Sequence, residues 1–242
     1  MESAEFEKHE RLERDHWWFE GRRRCIAAVL TRELPPASDR AILDVGCGTG
    51  GMFPMLYRFG RVSGAEYSAD ARERARRLFP DVEVSPCELP DTLPPGPFDV
   101  VTAFDVIEHV DDPVASLRAM VTRLRPNGRV VITVPALQLL WSQHDVTLQH
   151  RRRYSRAMLL EQLAAAGLRV TYDSFFNTGL FPMVAAARLV ERVRGPGTGS
   201  DLAPVSPLIN AALREFFGAE ARVLSRGRLP IGVSLIAVGT PS

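Results

Sequence analysis

The feature that most constrains this 242-residue chain is the stretch Asp44-Val45-Gly46-Cys47-Gly48-Thr49-Gly50-Gly51. It lies between the short apolar run Ala41–Val45, which reads as a buried strand, and residues 51–59, which have the composition of a helix. The glycines permit a tight turn and a close approach of a ligand to the backbone, so a strand, a ligand-cradling loop and a helix are expected here. That unit belongs to sheets whose strands alternate with helices. The chain continues the pattern, with strands over 62–65 and 82–84 around an arginine-rich helix at Ala69–Leu78. Next come a strand at Phe98–Phe104, a helix over 113–124, and a strand over 128–134 entered through a Pro126-Asn127-Gly128 turn. Such alternation implies an α/β fold with a doubly wound, mostly parallel sheet.

The ends elaborate this core. Residues 5–34 favour a helix with Trp17, Trp18, Phe19, Ile26, Val29 and Leu30 among its charges, ended by Pro35 and Pro36. Ser155 suits the N-cap of a helix running to Ala166, which Gly167 stops ahead of a strand over 168–172. The last strand is expected over 233–238, so about sixty residues separate these two strands, far more than an ordinary connection needs. They include a flexible-looking 195–200 and a helix over 207–224. The resulting division is an N-terminal helical cap (1–36), a core (37–174), a helical insertion covering the active site (175–228), and a final core strand (229–242).

The loop also matches the GxGxxG spacing of dinucleotide-binding folds through Gly46, Gly48 and Gly51. A dinucleotide, however, sets a doubly anionic pyrophosphate against this loop, where Asp44 would repel it. S-adenosylmethionine carries no phosphate but has an ammonium and a sulfonium, which an acidic loop stabilises. Glu66 ends the second strand 22 residues after Asp44, where a carboxylate can accept hydrogen bonds from ribose hydroxyls.

Residues 42–50, Glu66 and residues 98–109 together resemble the successive motifs of class I S-adenosylmethionine-dependent methyltransferases, over most of residues 40–170. The resemblance implies a Rossmann-like, seven-stranded sheet and a donor site that includes Asp44, Gly46, Cys47, Gly48, Gly50, Glu66 and the adjoining Tyr67. It further implies that Glu88 and Leu89 meet the adenine, with Cys87 the alternative because Ser85-Pro86-Cys87-Glu88 departs from the commoner glycine-aspartate pattern. Phe104, Asp105 and Val106 fall beside the methionine moiety, although Asp105 equally suits a turn. The segments 16–23 and 141–155 look like one bacterial branch of the family whose members accompany sugar, glycolipid or natural-product pathways. The implied acceptor is a small molecule, and the implied product of the donor is S-adenosylhomocysteine.

Methyl transfer is an in-line displacement that needs alignment and exclusion of water more than it needs a base. For an acceptor hydroxyl, a positioned histidine would contribute, and His109, His144 and His150 are the candidates. His144, followed by Asp145, is the favoured base, with His109 the second. Arg151, Arg152 and Arg153 suit a phosphate or carboxylate on the acceptor, or simply a solvated loop. Phe175, Phe176, Leu180, Phe181, Met183 and Val184, with Leu213, Phe216 and Phe217, suit either an apolar acceptor pocket or ordinary helix packing.

A net charge of +1 offers no broad attraction to nucleic acid, so none is expected as a partner. The basic loop leaves peripheral membrane contact open. Residues 179–190 are too short and too interrupted for a bilayer span of roughly 20 residues. The start of the chain is acidic and polar rather than a secretory signal, which points to the cytoplasm. Cys25, Cys47 and Cys87 form no CxxC pair, so no metal site is expected.

Overall fold

The computed structural model describes residues 15–34, 37, 39–194 and 205–242. A seven-stranded sheet runs through it, built from β1 (Ala41–Val45), β2 (Arg61–Glu66), β3 (Val84–Pro86), β4 (Phe98–Phe104), β5 (Leu124–Pro135), β6 (Leu168–Phe176) and β7 (Ser234–Pro241). Their order is β3-β2-β1-β4-β5-β7-β6, with β7 antiparallel to both neighbours and the other pairs parallel. This is the expected Rossmann-like, doubly wound arrangement. The helices in chain order are α1 (Trp17–Glu33), α2 (Phe53–Leu56), α3 (Ala69–Leu78), α4 (Pro113–Val121), α5 (Gln143–Thr147), α6 (Arg156–Ala165), α7 (Phe181–Arg194), α8 (Pro207–Gly218) and α9 (Glu220–Leu224).

The central strands are apolar along both faces because helices cover both. On one face α1 packs Ile26 and Leu30 against Ile42, Val100 and Ile236, joined by Phe217 of α8 and Leu224 of α9. On the other, α4 and α6 pack Leu117, Met120, Leu159 and Leu163 against Val101, Val130 and Ile132. Side-chain caps start these helices: for α1, His16 accepts from Trp18 N; for α4, Asp112 accepts from Ala115 N; and for α6 Ser155, as expected, accepts from Met158 N.

Several boundaries differ from the sequence reading. The third strand sits at Val84–Pro86 rather than 82–84, because its register pairs Gly64 with Val84 and Glu66 with Pro86. The helix expected over 51–59 shrinks to α2 between turns. The Pro126-Asn127-Gly128 turn is an irregularity inside β5: Phe98 pairs with Leu124 and Val100 with Arg129, so the strand swells around the extra residues instead of stopping. The final strand continues to Pro241, and β6 reaches Phe176, past the 174 boundary, because the two pair along their whole length from Leu168–Pro241 to Phe176–Ser234. The helix over 207–224 is broken at Ala219. Residues 5–14, Pro35, Pro36 and the 195–200 segment lie outside the described residues.

The N-terminal helix and the insertion form one layer. Trp17 N donates to Asn210 Oδ1 at 2.8 Å, Arg24 pairs with Glu215 at 2.9 Å, and Gly21 lets the Phe217 ring lie against the helix backbone. Among the described residues, no helix is long and apolar enough to cross a membrane.

Candidate active site

The carboxyl ends of β1, β2, β3 and β4 open into a cavity of about 460 Å³, within the usual range for small-molecule sites. Its wall is made by Val45, Gly46, Glu66, Tyr67, Cys87, Glu88, Leu89, Asp105, Val106, His109, Val110 and Asp111. Four separate strand ends therefore converge on one space, where open parallel sheets bind ligands.

The glycine loop is bent by its own backbone. Gly46 N and Cys47 N both donate to Ala65 O, at 2.7 and 3.2 Å, which turns the chain toward β2. Gly46 has φ +67°, and a Cβ there would come within 2.5 Å of Val106 Cγ2, so only glycine fits between the two loops. Glu66 accepts from Gly48 N at 3.0 Å through Oε2 and from Ser68 N at 2.7 Å through Oε1. A carboxylate has about four lone-pair sites, so this fixed group keeps acceptor capacity for hydroxyls in the cavity.

Asp44 lies beneath this wall rather than on it. It is 2% exposed and Oδ1 accepts from Thr102 Oγ1 at 2.6 Å. Burial pushes its pKa up to about 7, against the lowering effects of the Thr102 hydrogen bond and the Arg22 charge. Cys47, Gly48, Gly50 and Phe104 are likewise not among the residues that line the cavity. Cys87, Glu88 and Leu89 all line it, so the two alternatives for the adenine segment are adjacent parts of one surface. Burial and the nearby Glu66 push the Cys87 thiol up to about 11, which keeps it protonated and inert.

Asp105 adopts φ +58° and is held from two sides. Its Oδ2 accepts from Arg22 Nη2 at 2.7 Å, its Oδ1 from Thr133 Oγ1 at 3.0 Å, and Arg22 also donates to Thr133 Oγ1 at 2.9 Å. Arg22 is buried, with its guanidinium 5.4 Å from the centre of the Trp18 ring. The sequence reading missed this residue. Its one visible signal was an arginine on the same helical face as Phe19 and Ile26, where a charge must find a partner.

The histidines separate. His109 lines the cavity, whereas His144 sits in the first turn of α5 and is not among the residues that line it. The carboxylate of Asp145 meets His150. Asp145 Oδ1 accepts from His150 Nδ1 and from Arg153 Nε, both at 2.8 Å, while Oδ2 accepts from Ser142 N at 2.9 Å in a capping box. Burial alone would raise its pKa, but these bonds hold it well below the usual carboxylate range. The arginine run is also committed: Arg151 Nε donates to His109 O at 2.8 Å, Arg152 to Val110 O at 2.9 Å and Arg153 to Ala136 O at 3.3 Å. Arg151 and Arg152 thereby tie into the 105–111 loop. Among the described residues the insertion contributes nothing to the cavity wall, so the expected cover over the site is not found there.

The sequence model of the methyltransferase-domain family matches residues 17–172. A probable S-adenosylmethionine-dependent methyltransferase of Mycolicibacterium smegmatis is 30% identical over 177 residues, covering 70% of this chain and 66% of that protein. A ubiquinone biosynthesis O-methyltransferase of Aeromonas salmonicida is 31% identical over 197 residues, covering 70% of this chain and 83% of that one. Over several further curated relatives the match spans about half of their length. Among solved structures, the geranyl diphosphate C-methyltransferase of Streptomyces coelicolor A3(2), solved with S-adenosyl-L-homocysteine, superposes with a TM-score of 0.60. It shares 17% identity over 90% of this chain and 80% of its own, a likeness that speaks for the fold.

Proposed function

The chain belongs to the methyltransferase-domain family, and from that premise we propose that it transfers a methyl group from S-adenosylmethionine to an oxygen of a small molecule, such as a saccharide, glycolipid or secondary metabolite. The observation that carries this reading is the convergence of Gly46, Glu66, Cys87, Glu88, Leu89, Asp105 and Val106 on one cavity, with His109 in the same wall.

The donor supplies a methyl group already activated on a sulfonium. Glu66, held by two backbone amides, accepts from ribose hydroxyls; Tyr67, Cys87, Glu88 and Leu89 flank the base; Asp105 and Val106 border the methionine end. Asp44 contributes negative charge from below when ionised. His109 takes the proton of an acceptor hydroxyl. Desolvation in the cavity mouth and the neighbouring His150 hold its pKa below the ordinary value, so it is a free base at neutral pH. The cavity volume of about 460 Å³ suits a small acceptor, and the net charge of +1 argues against a large polyanion.

Calorimetric titration with S-adenosylhomocysteine and with NADH, followed by methyl-labelled donor across hydroxyl-, amine- and carbon-acceptor panels, tests the proposal. Binding of the homocysteine compound and label on an oxygen is the expected result. NADH binding in its place would overturn it. Replacing Glu66 with Ala is expected to weaken donor binding by about tenfold to a hundredfold, the loss of hydrogen bonds to a charged group. Unchanged affinity in the folded variant removes Glu66 from the donor site.

A further inference from the structure

We propose that His150, anchored by Asp145, is a positioning residue for His109: it braces that imidazole edge-on beside the buried Glu108 and so holds the ring ready to accept a proton. This rests on the reading of His109 as the base.

The geometry is a short chain of fixed groups. Arg153 and His150 share Asp145 Oδ1, each at 2.8 Å, and the His150 side chain is only 8% exposed, so the ring cannot swing freely. The carboxylate on Nδ1 makes that nitrogen the hydrogen-bearing one. The His109 and His150 rings meet edge-to-face, with centroids 4.8 Å apart and planes at 77°. One nitrogen of each ring and one carboxylate oxygen of Glu108 lie within 4.8 Å of one another. Glu108 is fully buried, and neither of its oxygens has a hydrogen-bond partner among the described residues. An ionised carboxylate is costly in that position, whereas a carboxylic acid is tolerated.

The surrounding charges agree. Around Glu108, burial and Asp105 favour the acid, outweighing its own backbone N–H, Arg22 and Arg153. Around His109, desolvation and His150 oppose a positive charge, outweighing Asp105 and the Gln149 backbone. Arg151 is occupied by the His109 carbonyl and by Asp111. The alternative occupant of this cluster is a divalent cation. Ligands on one such ion, at about 2.0–2.2 Å each, are at most about 4.4 Å apart, so a cluster reaching 4.8 Å is loose for an ion.

In transfer, the acceptor O–H proton passes to the free nitrogen of His109 as the O–CH₃ bond forms and the C–S bond breaks, so the imidazole must start neutral. The test is a nuclear magnetic resonance titration of the histidine-labelled full chain, without donor, alongside kcat and KM against pH. In His150→Asn, which keeps a donor for Asp145, the His109 midpoint is expected to rise. The acid limb of kcat should move up with it, and KM for the donor should stay the same. Asp145→Asn is expected to act in the same direction, and serves if His150→Asn does not fold. An unmoved His109 midpoint in both variants overturns the proposal. Glu108→Gln should leave the midpoint in place, and a fall would show that Glu108 is an anion. Stoichiometric shifts of both histidines on adding Mg²⁺ or Zn²⁺ to the wild-type chain would overturn the relay in favour of an ion site. A His109→Ala variant that retains kcat would reject the base reading alone, since the His109 response to His150→Asn would still stand.

Discussion

Asp44 illustrates how one buried side chain can connect binding to folding. In the free protein burial moves its pKa from the ordinary 3.8 to about 7, so the folded state holds a proton that the unfolded chain releases at lower pH. Stability from this residue is therefore full below about pH 4 and is lost as pH rises through about 7. A cationic donor reverses the preference by favouring the carboxylate. Donor affinity should then increase with pH up to about 7, and calorimetry should register proton release on binding in that range. Asp44→Asn removes both effects. Its stability relative to the wild type should grow between about pH 4 and about pH 7, as followed by urea unfolding, while its donor affinity becomes flat with pH. A variant whose affinity kept the wild-type pH slope would assign the slope to another group. The choice of Asp44 was legible in the sequence because it lies in the loop motif; its burial was not, since nothing local announces that Thr102, on the neighbouring strand, completes its hydrogen bonding.

At the scale of elements, the strands were readable because a strand covered on both faces must be a continuous apolar run, as β1 and β4 largely are. Boundaries set by pairing were not. The third strand is placed by its register with β2, and the Pro126-Asn127-Gly128 signal is overridden because β5 resumes pairing with β4 at Arg129. The contact between α1 and α8 is likewise invisible along the chain, yet it depends on a single missing methyl. A Cβ at Gly21 would lie 2.4 Å from Cδ1 of Phe217. That ring is stacked on Phe176 and edge-on to Trp17, so it has little room to retreat. Gly21→Ala gains about 1 kcal/mol of helix propensity, against an overpacking cost of about 1–3 kcal/mol. A net loss of stability is expected in chemical denaturation, where an ordinary exposed helical glycine would show a gain.

Across the whole molecule the two halves of the site differ in how far apart their residues lie in the chain. The cavity wall at the ends of β1 to β4 is assembled from successive neighbouring strands, so a motif reading reaches it. The rest depends on contacts between distant segments: Arg22 reaches Asp105 across 83 positions, and Arg151 reaches the His109 carbonyl across 42. Sequence adjacency of His144 and Asp145 likewise says nothing about the loop that returns His150 to that carboxylate. Arg22 also ties the helical layer formed by α1 and α8 to the cavity, since α1 carries the cation that fixes Asp105. Arg22→Met keeps much of the buried side-chain volume but leaves Asp105 unpaired. Because Asp105 borders the open cavity, water offsets part of the loss, and a destabilisation of about 1–3 kcal/mol is expected, below that of a fully buried broken pair. The sharper readout is the response to ligand. At about a hundred times its Kd, S-adenosylhomocysteine stabilises a folded protein by about 2.7 kcal/mol, and at that same concentration Arg22→Met should gain clearly less, because an unpinned Asp105 no longer shapes the methionine end of the cavity. An equal gain in both proteins, read from melting temperatures with and without ligand, would mean that the helical layer supports the fold without reaching the donor site.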